Sequence, residues 1–390
     1  MTTARLSFVI GVLFLFIGCA SFETEENEIK AAVATLKEQF APDRRVAVFD
    51  VGWERQAGGL VVKGEVEKAE AKQAVLAAIE KITDKLIIDS IRVLPDPALG
   101  EKHYGIVTVS VGNMRTKPSQ AAELGTQVLI GMIVKLLKED GGWYYVQSAD
   151  RYLGWIEDDA LHVTDQAGIE AWARAPKVIM TQHFGIIREG PRASADPVSD
   201  IVAGGMLKKL REEEGWIRVE LPDKSVGYIE RSMVQDYTKW RAERRVTAET
   251  IETAAKSFLG VPYLWGGTSA KGMDCSGFTK TIFRLNGMEL NRDANQQATM
   301  GEEVFVGDDF EGLRKGDLVF FGRKASTERP ERITHVGIYL SNKEYIHAPG
   351  GSRVRINSFD PTAPNYHELL RKSFVRARRV IPSYVVKEVG

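Results

Sequence analysis

The first third of the chain alternates between two spacings of its apolar residues. Apolar positions three and four apart predict helices over 29–40 and 69–82. Short apolar runs bounded by turn residues predict strands over 46–51, 60–64 and 86–94. Residues 20–100 are therefore expected to form a small α/β module.

The next part of the chain is an internal repeat of short strand-like runs. Corresponding residues lie at a constant offset (188 − 115 = 73), as in Arg115 with Arg188 and Trp155 with Tyr228. A constant offset indicates two copies of one supersecondary unit. Runs such as 128–134 and 143–146, separated by turn residues, favour a small antiparallel β-barrel over 101–164 and another over 175–238. A short linker helix is expected over 165–174.

The last part of the chain, 246–385, mixes helical and strand patterns. A helix is predicted over 248–259, and a second one, with its apolar residues on one side, begins at Cys275. Alternation of apolar and polar residues predicts strands over 335–340 and 345–348. This part is expected to be an α+β domain.

The N-terminus has the features of an export signal. Arg5 precedes an apolar run, 6–17, that is short for a membrane span. The segment 16–19 resembles a bacterial lipobox, with Phe16 where leucine is usual. We therefore expect a signal over 1–19, a lipidated Cys19 and a membrane anchor; a plain signal peptide with a buried Cys19 is the alternative. The acidic residues that follow are expected to form a solvated tether: Glu23, Glu25, Glu26 and Glu28.

Composition narrows the function classes. A length of 390 residues predicts several domains, and a net charge of −1 gives no overall positive field for nucleic acid. The chain has 2 cysteines, so an exported, lipidated protein would keep Cys275 as a single thiol without a disulfide partner. Such a thiol is either buried and inert or chemically active.

The position of Cys275 favours chemistry. At a helix N-terminus, free backbone N–H groups and the helix dipole are expected to lower the pKa of the thiol. The same N–H groups can hold the oxyanion that forms when a thiolate attacks a carbonyl. Asp274 is expected to cap the helix. A nucleophilic cysteine also needs a base, and His335 and His347 are the candidates.

The loop between the two strands decides whether these histidines share a face. A two-residue turn, 342–343, would place His335 and His347 on opposite faces. A three-residue loop that pairs Leu340 with Glu344 would make them diagonal neighbours on one face, about 7–8 Å apart at Cα. We predict the three-residue loop, since it produces a cysteine, a base and an orienting group.

Five motifs in the last domain, in family order, resemble the NlpC-type cell-wall cysteine peptidases. They are 262–267 (PYLWGG), 274–278 (DCSGF), 313–321 (LRKGDLVFF), 335–339 (HVGIY) and 346–348 (IHA). With two barrels that resemble bacterial SH3-like domains in front, the whole chain is similar to the γ-D-glutamyl-L-diamino-acid endopeptidases that trim peptidoglycan stem peptides. The N-terminal module is similar to BON-type modules.

This resemblance implies a fold, a location and a set of site residues. The fold is multidomain: a small α/β module, two SH3-like β-barrels and an α+β, papain-like (circularly permuted) peptidase domain. It implies an exported, monomeric cell-envelope enzyme that needs no metal or organic cofactor. The implied residues are Cys275 as nucleophile, His335 as base and then acid, His347 as its orienting group, Tyr263 beside the oxyanion, and Asp274 and Ser276 in substrate binding, with Asp274 holding a free amine.

In the same subgroup the first barrel closes one end of the cleft and restricts substrates to peptides with a free N-terminal L-Ala. Glu123 and Tyr152 are our candidates for that amine-binding wall, with ordinary surface positions as the alternative. Ala294 stands where these enzymes commonly have a serine or threonine.

Other functions stay open from the sequence. The chain could be a catalytically inactive peptidoglycan-binding lipoprotein, or a broader cell-wall amidase or endopeptidase acting on intact sacculus. Cys275 as a structural cysteine, and a metal site formed by Cys275, His335 and His347, are further alternatives.

Overall fold

The computed structural model describes residues 6–382, with side chains from residue 23 onward. Lipidation of Cys19 falls outside the residues whose side chains are described, and it stays a prediction, as do the domain boundaries given above. The chain divides into two compact units, 1–100 and 101–390. Among the described helices, none is long and apolar enough to cross a membrane.

The N-terminal unit is the expected α/β module. Its elements are α1 (Leu6–Phe40), β1 (Phe49–Gln56), β2 (Gly59–Val66), α2 (Ala69–Glu80) and β3 (Ile87–Val93). β2 lies in the middle of the sheet, antiparallel to β1 and parallel to β3. Ile29 of α1 and Val75 of α2 belong to the same buried core as Leu60 and Val62 of β2.

Glu23, Glu26 and Glu28 are exposed, as predicted, but the acidic segment is part of a helix rather than a tether. Residues 23–28 continue α1. Glu25 binds Lys85 at 2.9 Å, and this contact, followed by Thr83, holds the pKa of Glu25 at about 2. Trp53 donates a hydrogen bond from Nε1 to Glu26 at 2.7 Å. These contacts within the module keep the acidic segment ordered as a helix.

Two seven-stranded antiparallel sheets follow, joined by a helix. The first contains β4 (Tyr104–Val107), β5 (Val111–Arg115), β6 (Leu124–Leu129), β7 (Ile133–Asp140), β8 (Trp143–Gln147), β9 (Leu153–Glu157) and β10 (Leu161–Thr164). Helix α3 (Gln166–Arg174) is the expected linker, capped by Asp165. The second contains β11 (Lys177–Met180), β12 (Phe184–Arg188), β13 (Pro197–Val202), β14 (Met206–Glu213), β15 (Trp216–Glu220), β16 (Val226–Glu230) and β17 (Val234–Asp236).

The strand pairing repeats between the two barrels. Trp143 pairs with Glu157 in the first, and Trp216 with Glu230 in the second. The run 128–134, expected as one strand, is instead divided by a turn in which Gly131 has φ of +81°. The turn is apolar because it packs on the second barrel, where the Met206 N–H donates to the Ile130 carbonyl at 2.9 Å.

A short helix, α4 (Tyr237–Glu243), follows the second barrel. The last part of the chain is the expected α+β domain, with the helices α5 (Ala248–Ser257), α6 (Cys275–Leu285), α7 (Ala294–Gln297) and α8 (Glu368–Lys372). Its strands are β18 (Thr268–Ser269), β19 (Gly272–Met273), β20 (Glu302–Val304), β21 (Leu318–Arg323), β22 (Arg332–Tyr339), β23 (Glu344–His347), β24 (Arg355–Ser358) and β25 (Phe374–Arg379). The six-stranded sheet has the order β20-β25-β21-β22-β23-β24. Phe278 and Ile282 of α6 share one buried core with Val336 and Ile338 of β22.

The first barrel packs directly beside the start of α6. Gly266 passes so close to β6 that a Cβ there would lie 2.2 Å from the Leu124 carbonyl oxygen. The Thr268 N–H donates to Gln127 Oε1 at 2.9 Å, and the Thr268 hydroxyl donates to the Gln127 carbonyl at 3.1 Å. The barrel is therefore held next to Cys275 by backbone contacts as well as side chains.

Candidate active site

Cys275 is the first residue of α6, as predicted, and it is buried with 8% exposure. Asp274 Oδ1 accepts a hydrogen bond from the Gly277 N–H at 2.7 Å, which confirms the predicted cap. Gly277 allows the preceding loop to cross the helix, since a Cβ there would lie 2.0 Å from the Gly267 carbonyl oxygen. The backbone N–H groups of Val336 and Ser276 reach the sulfur.

The expected lowering of the thiol pKa is wrong for the free protein. Burial, followed by the Asp274 carboxylate, raises the pKa of Cys275 to about 12. The N–H groups of Val336 and Ser276 act in the opposite direction but do not offset the loss of solvent. A protonated thiol at rest must lose its proton to a base when it reacts.

The strand register brings both histidines to one face, as predicted. Ile338 pairs with Ile346, and the Leu340 N–H donates to the Glu344 carbonyl at 2.9 Å, which confirms the three-residue loop. His335 Nε2 and His347 Nδ1 lie 2.7 Å apart, within hydrogen-bonding distance.

A third side chain, which was not predicted from the sequence, extends this contact. His347 Nε2 lies 2.9 Å from Asn357 Oδ1 on the neighbouring strand β24. The Asn357 amide orientation is fixed from both ends, because its Nδ2 donates to the Asn365 carbonyl at 2.7 Å and Arg355 Nε donates to its Oδ1 at 3.0 Å. In the sequence, only the alternation of Arg355 and Asn357 with apolar neighbours could have indicated that Asn357 belongs to the site.

The fixed amide determines the protonation of both rings. Asn357 Oδ1 only accepts, so His347 Nε2 carries the proton and His347 Nδ1 is an acceptor. His335 Nε2 must then donate to His347, which leaves the lone pair of the neutral ring on His335 Nδ1. Burial lowers the pKa of His335 to about 4 and that of His347 to about 3, so both rings are neutral at pH 7.

Asp274 has a structural partner that the sequence analysis also missed. Arg292 is fully buried and places Nη2 2.6 Å and Nη1 3.1 Å from the two carboxylate oxygens. The Gly266 N–H donates to the same carboxylate at 3.0 Å. Arg292 also donates to the Ser276 hydroxyl at 3.0 Å. Because these donors occupy the carboxylate, the structure gives no support for its expected contact with a substrate amine, and Ser276 faces the same buried pair.

Tyr263 lies beside the thiol. Burial raises the pKa of its hydroxyl to about 12, and the next contributions are the charges of Cys275 and Asp274. Its backbone pairs with Met273, two residues before Cys275. A protonated phenol in this position can donate a hydrogen bond to an oxygen near the sulfur.

Glu123 and Tyr152 both reach the peptidase domain from the first barrel. Trp265 donates from Nε1 to Glu123 Oε1 at 2.8 Å. The Tyr152 hydroxyl donates to Asp293 Oδ2 at 3.2 Å. Asp293, which follows the buried Arg292, thus adds a carboxylate at this boundary that the sequence analysis did not single out. Ala294, next in the chain, is buried and supplies no hydroxyl.

Metal ligation is a separate question from this geometry. Across the part of the chain that the structure describes, no group of three or more His, Cys, Asp or Glu side chains is arranged to hold a metal ion.

Comparison with known proteins places this geometry in a family. The sequence model of the NlpC/P60 family matches residues 260–378, and that of the bacterial dipeptidyl-peptidase Sh3 domain matches residues 114–161. A gamma-D-glutamyl-L-lysine dipeptidyl-peptidase of Bacillus subtilis is 32% identical over 236 residues, which cover 57% of this chain and 72% of that protein. The chain belongs to the NlpC/P60 family.

Two further comparisons agree with this assignment. A dipeptidyl-peptidase 6 of Lysinibacillus sphaericus is 29% identical over 272 residues, 67% of this chain and 94% of that protein. The crystal structure of an NlpC/P60 family protein from Bacillus cereus ATCC 10987 has a TM-score of 0.61 and 25% identity, and the match covers 72% of this chain and 100% of that one. This NlpC/P60 protein is therefore a peptidoglycan cysteine peptidase with SH3-like domains, which confirms the family and fold inferred from its motifs.

Proposed function

We propose that this NlpC/P60 protein hydrolyses the bond between γ-D-glutamate and an L-diamino acid in peptidoglycan stem peptides that have a free N-terminal L-Ala. The observation that carries the proposal is the junction at the start of α6. There, the N–H of Val336, the residue after His335, reaches the Cys275 sulfur, and the first barrel brings Glu123 and Tyr152 to the same domain. The name of the Bacillus subtilis relative, a gamma-D-glutamyl-L-lysine dipeptidyl-peptidase, supports the same bond specificity.

The mechanism follows from the protonation of the ring pair. His335 Nδ1 accepts the thiol proton as the Cys275 sulfur attacks the γ-carbonyl carbon of D-Glu. The backbone N–H groups at the start of α6 and the Tyr263 hydroxyl hold the resulting oxyanion. His335 then gives the proton to the amine of the diamino acid, which leaves as the carbon–nitrogen bond breaks. Water, deprotonated by His335, hydrolyses the thioester and restores the thiol.

The free amine of L-Ala is assigned to the boundary between the first barrel and the peptidase domain. Glu123 and Asp293 supply carboxylates there, and the Tyr152 hydroxyl orients Asp293. An ammonium group between carboxylates forms charge-assisted hydrogen bonds, which an acylated nitrogen cannot replace. Asp274 is left out of this role because Arg292 occupies it.

The test is hydrolysis of L-Ala-γ-D-Glu-diaminopimelate and of the same peptide with an acetylated N-terminus. We expect cleavage of the free peptide at the γ-D-Glu bond, little cleavage of the acetylated one, and none by Cys275→Ala. Glu123→Gln and Tyr152→Phe should raise KM for the free peptide with little change for the acetylated one. Equal cleavage by Cys275→Ala, or equal rates on both peptides, would contradict the nucleophile or the amine site respectively.

The same assay separates the two other functions. A peptidoglycan-binding lipoprotein without activity would bind stem peptide but release no product. A broader endopeptidase would solubilise intact sacculus as fast as it cleaves the free peptide. The ordered chain from His335 through His347 to Asn357 favours an active enzyme, because a binding protein does not need a base held in one protonation state.

We also propose that the protein is exported and held at a membrane of the cell envelope by a lipid on Cys19, as the sequence pattern predicts. Labelling with a radioactive fatty acid tests the anchor. Label should enter the native chain and be absent from Cys19→Ala. Label that is retained in the variant would refute the assignment.

A further inference from the structure

A second concave site lies where both barrels meet the far end of α6. It is a cavity of about 420 Å³ whose walls include Gln127 of the first barrel, Met206 of the second, Trp240 of α4 and Arg284 of α6. Arg284 follows Cys275 by nine positions, so it lies roughly 13 Å further along the helix. Within the part of the chain that the structure describes, the cavity lining does not include Cys275, His335 or His347, so the cavity is separate from the candidate active site.

Two arginines in this wall have no carboxylate partner among residues 23–382. Within residues 23–382, the hydrogen-bond acceptor found for the Arg284 guanidinium is the Met132 sulfur, 3.7 Å from Nη1. The Arg244 guanidinium lies 4.4 Å above the Trp240 ring, and in the same described range neither arginine has a carboxylate oxygen within 4.0 Å. Both side chains are half-buried.

The nearest acidic side chains are already occupied. Asp150 and Glu289 lie in the same wall, and Lys280 binds both, with Nζ 3.0 Å from one carboxylate and 3.2 Å from the other. A salt bridge to Lys280 leaves these carboxylates less able to neutralise a guanidinium. The lining still has five basic side chains against these two carboxylates, so its net charge is positive: Lys177, Arg241, Arg244, Lys280 and Arg284.

Close packing holds the two guanidinium groups in place. A Cβ on Gly204 would lie 2.9 Å from Arg284 Nη2, and one on Gly287 would lie 3.1 Å from Arg244 Nε. Burial lowers the pKa of Arg284; the charges of Glu289 and Asp150 act in the opposite direction, and the charge of Arg244 lowers it again by a smaller amount. Arg244 and Arg284 are thus close enough to repel each other, and an anion bound between them would relieve that repulsion.

We propose that this cavity binds a small organic carboxylate, with the carboxylate group on Arg244 and Arg284 and the rest of the molecule against the aromatic wall. Arginine binds a carboxylate through two parallel hydrogen bonds, and two arginines fix one such group strongly. A bare inorganic anion would leave most of a cavity of about 420 Å³ unfilled, whereas Trp172 and Tyr237 line it with ring surface suited to a larger ligand. The site goes beyond the proposed peptidase activity and does not depend on it.

The experiment is a calorimetric titration of the full chain with three probes. N-acetylmuramic acid is a ring with a free carboxylate, N-acetylglucosamine is its neutral counterpart, and inorganic phosphate is an anion without a ring. We expect saturable binding of the acidic sugar, weaker binding of phosphate and none of the neutral sugar. Arg244→Met and Arg284→Met should each weaken binding of the acidic sugar by about tenfold or more, the loss expected for one charge-assisted pair.

Arg245→Met is the matched control. Arg245 is the next residue in the chain, is exposed, and donates to the backbone carbonyls of Ala242 and Arg244 outside the cavity. The affinity of the Arg245→Met variant for the acidic sugar should equal that of the native chain. Near-ultraviolet circular dichroism reports whether each variant is folded, and if Arg284→Met does not fold, Arg244→Met decides alone.

Four results would overturn the proposal: no saturation by the acidic sugar, equal binding of acidic and neutral sugars, unchanged affinity in the folded Arg244→Met variant, or binding of phosphate at least as tight as that of the acidic sugar.

Discussion

Replacing Asn357 is expected to slow the chemical step without touching the substrate cleft. Asn357 is buried, and its Oδ1 accepts the proton of His347 Nε2 at 2.9 Å. Asn357→Leu keeps a similar volume but removes that acceptor. His347 is then free to place its proton on Nδ1, which reverses its hydrogen bond with His335 and takes the lone pair away from His335 Nδ1.

The magnitude follows from one buried hydrogen bond. Leaving a buried donor without its acceptor costs about 1–3 kcal/mol. If that cost falls on the transition state, kcat decreases roughly 5- to 150-fold, because each 1.36 kcal/mol is about tenfold in rate. KM should change little, since Asn357 lies behind His347 rather than against the substrate. Asn365→Ala is the matched control, because Asn357 donates to the Asn365 backbone carbonyl, which alanine retains.

Asn357→Asp gives the pH dependence that a loss of packing would not. Burial holds the pKa of His335 at about 4, so kcat/KM of the native enzyme should rise as pH increases through about 4 and the base loses its proton. A carboxylate at 357 raises the pKa of His347, and a protonated His347 cannot accept from His335. The acid limb of kcat/KM should therefore move to higher pH in Asn357→Asp. An unmoved limb, or a kcat for Asn357→Leu within twofold of native, would refute the fixed-proton chain.

Three further predictions concern stability. Gly266 has a φ of +77° and contacts the first barrel closely, so Gly266→Ala should lower the free energy of unfolding by about 1–3 kcal/mol in denaturant titrations. Gly260→Ala is the control, because Gly260 has a φ of +89° with open space around it. Its loss of stability should be smaller, and the difference between the two variants measures the steric part of the Gly266→Ala loss. Asp274→Asn should cost about 3–5 kcal/mol by leaving Arg292 unpaired, and adding Arg292→Met should restore part of it; no recovery would contradict the pair as the cause. The pKa of His347 is lowered to about 3 in the folded protein, so as pH falls the unfolded chain takes up a proton on this ring before the folded protein does. The stability that the neutral His347 ring contributes should therefore be full above about pH 6.5 and be lost progressively as pH falls towards about 3. His347→Gln should flatten that dependence, and an unchanged acid profile would contradict it.

The helix and strands that hold the candidate site could be predicted from local sequence patterns. The helical period and the cap residue predicted α6 and its start at Cys275, and both are observed. The register of His335 and His347 could also be predicted, because a period of two residues leaves few loop lengths that place both on one face. These features depend on neighbours in the sequence.

Features set by distant parts of the chain could not be predicted. Arg292 reaches Asp274 across 18 positions, and Asn357 reaches His347 from another strand. The turn at Gly131 could not be predicted, because its apolar residues pack on the second barrel. Their hydrophobicity results from this contact between domains and not from a position within a strand. In each case the sequence shows the residue but not the partner that gives it a role.

The thiol pKa shows how far the tertiary environment changes a local argument. A helix N-terminus favours a thiolate, but burial favours the neutral form of the Cys275 thiol and equally the neutral form of His335. A Cys275 thiolate paired with a protonated His335 is therefore unfavourable in the free protein, because burial disfavours both charged groups. In the proposed mechanism, proton transfer to His335 becomes favourable only as the sulfur bonds to a carbonyl, since the negative charge then moves to an oxygen that backbone N–H groups and Tyr263 can hold. In the proposed mechanism the burial itself would therefore favour a correctly placed carbonyl, because a thiol that stays protonated until attack has little reactivity towards other groups.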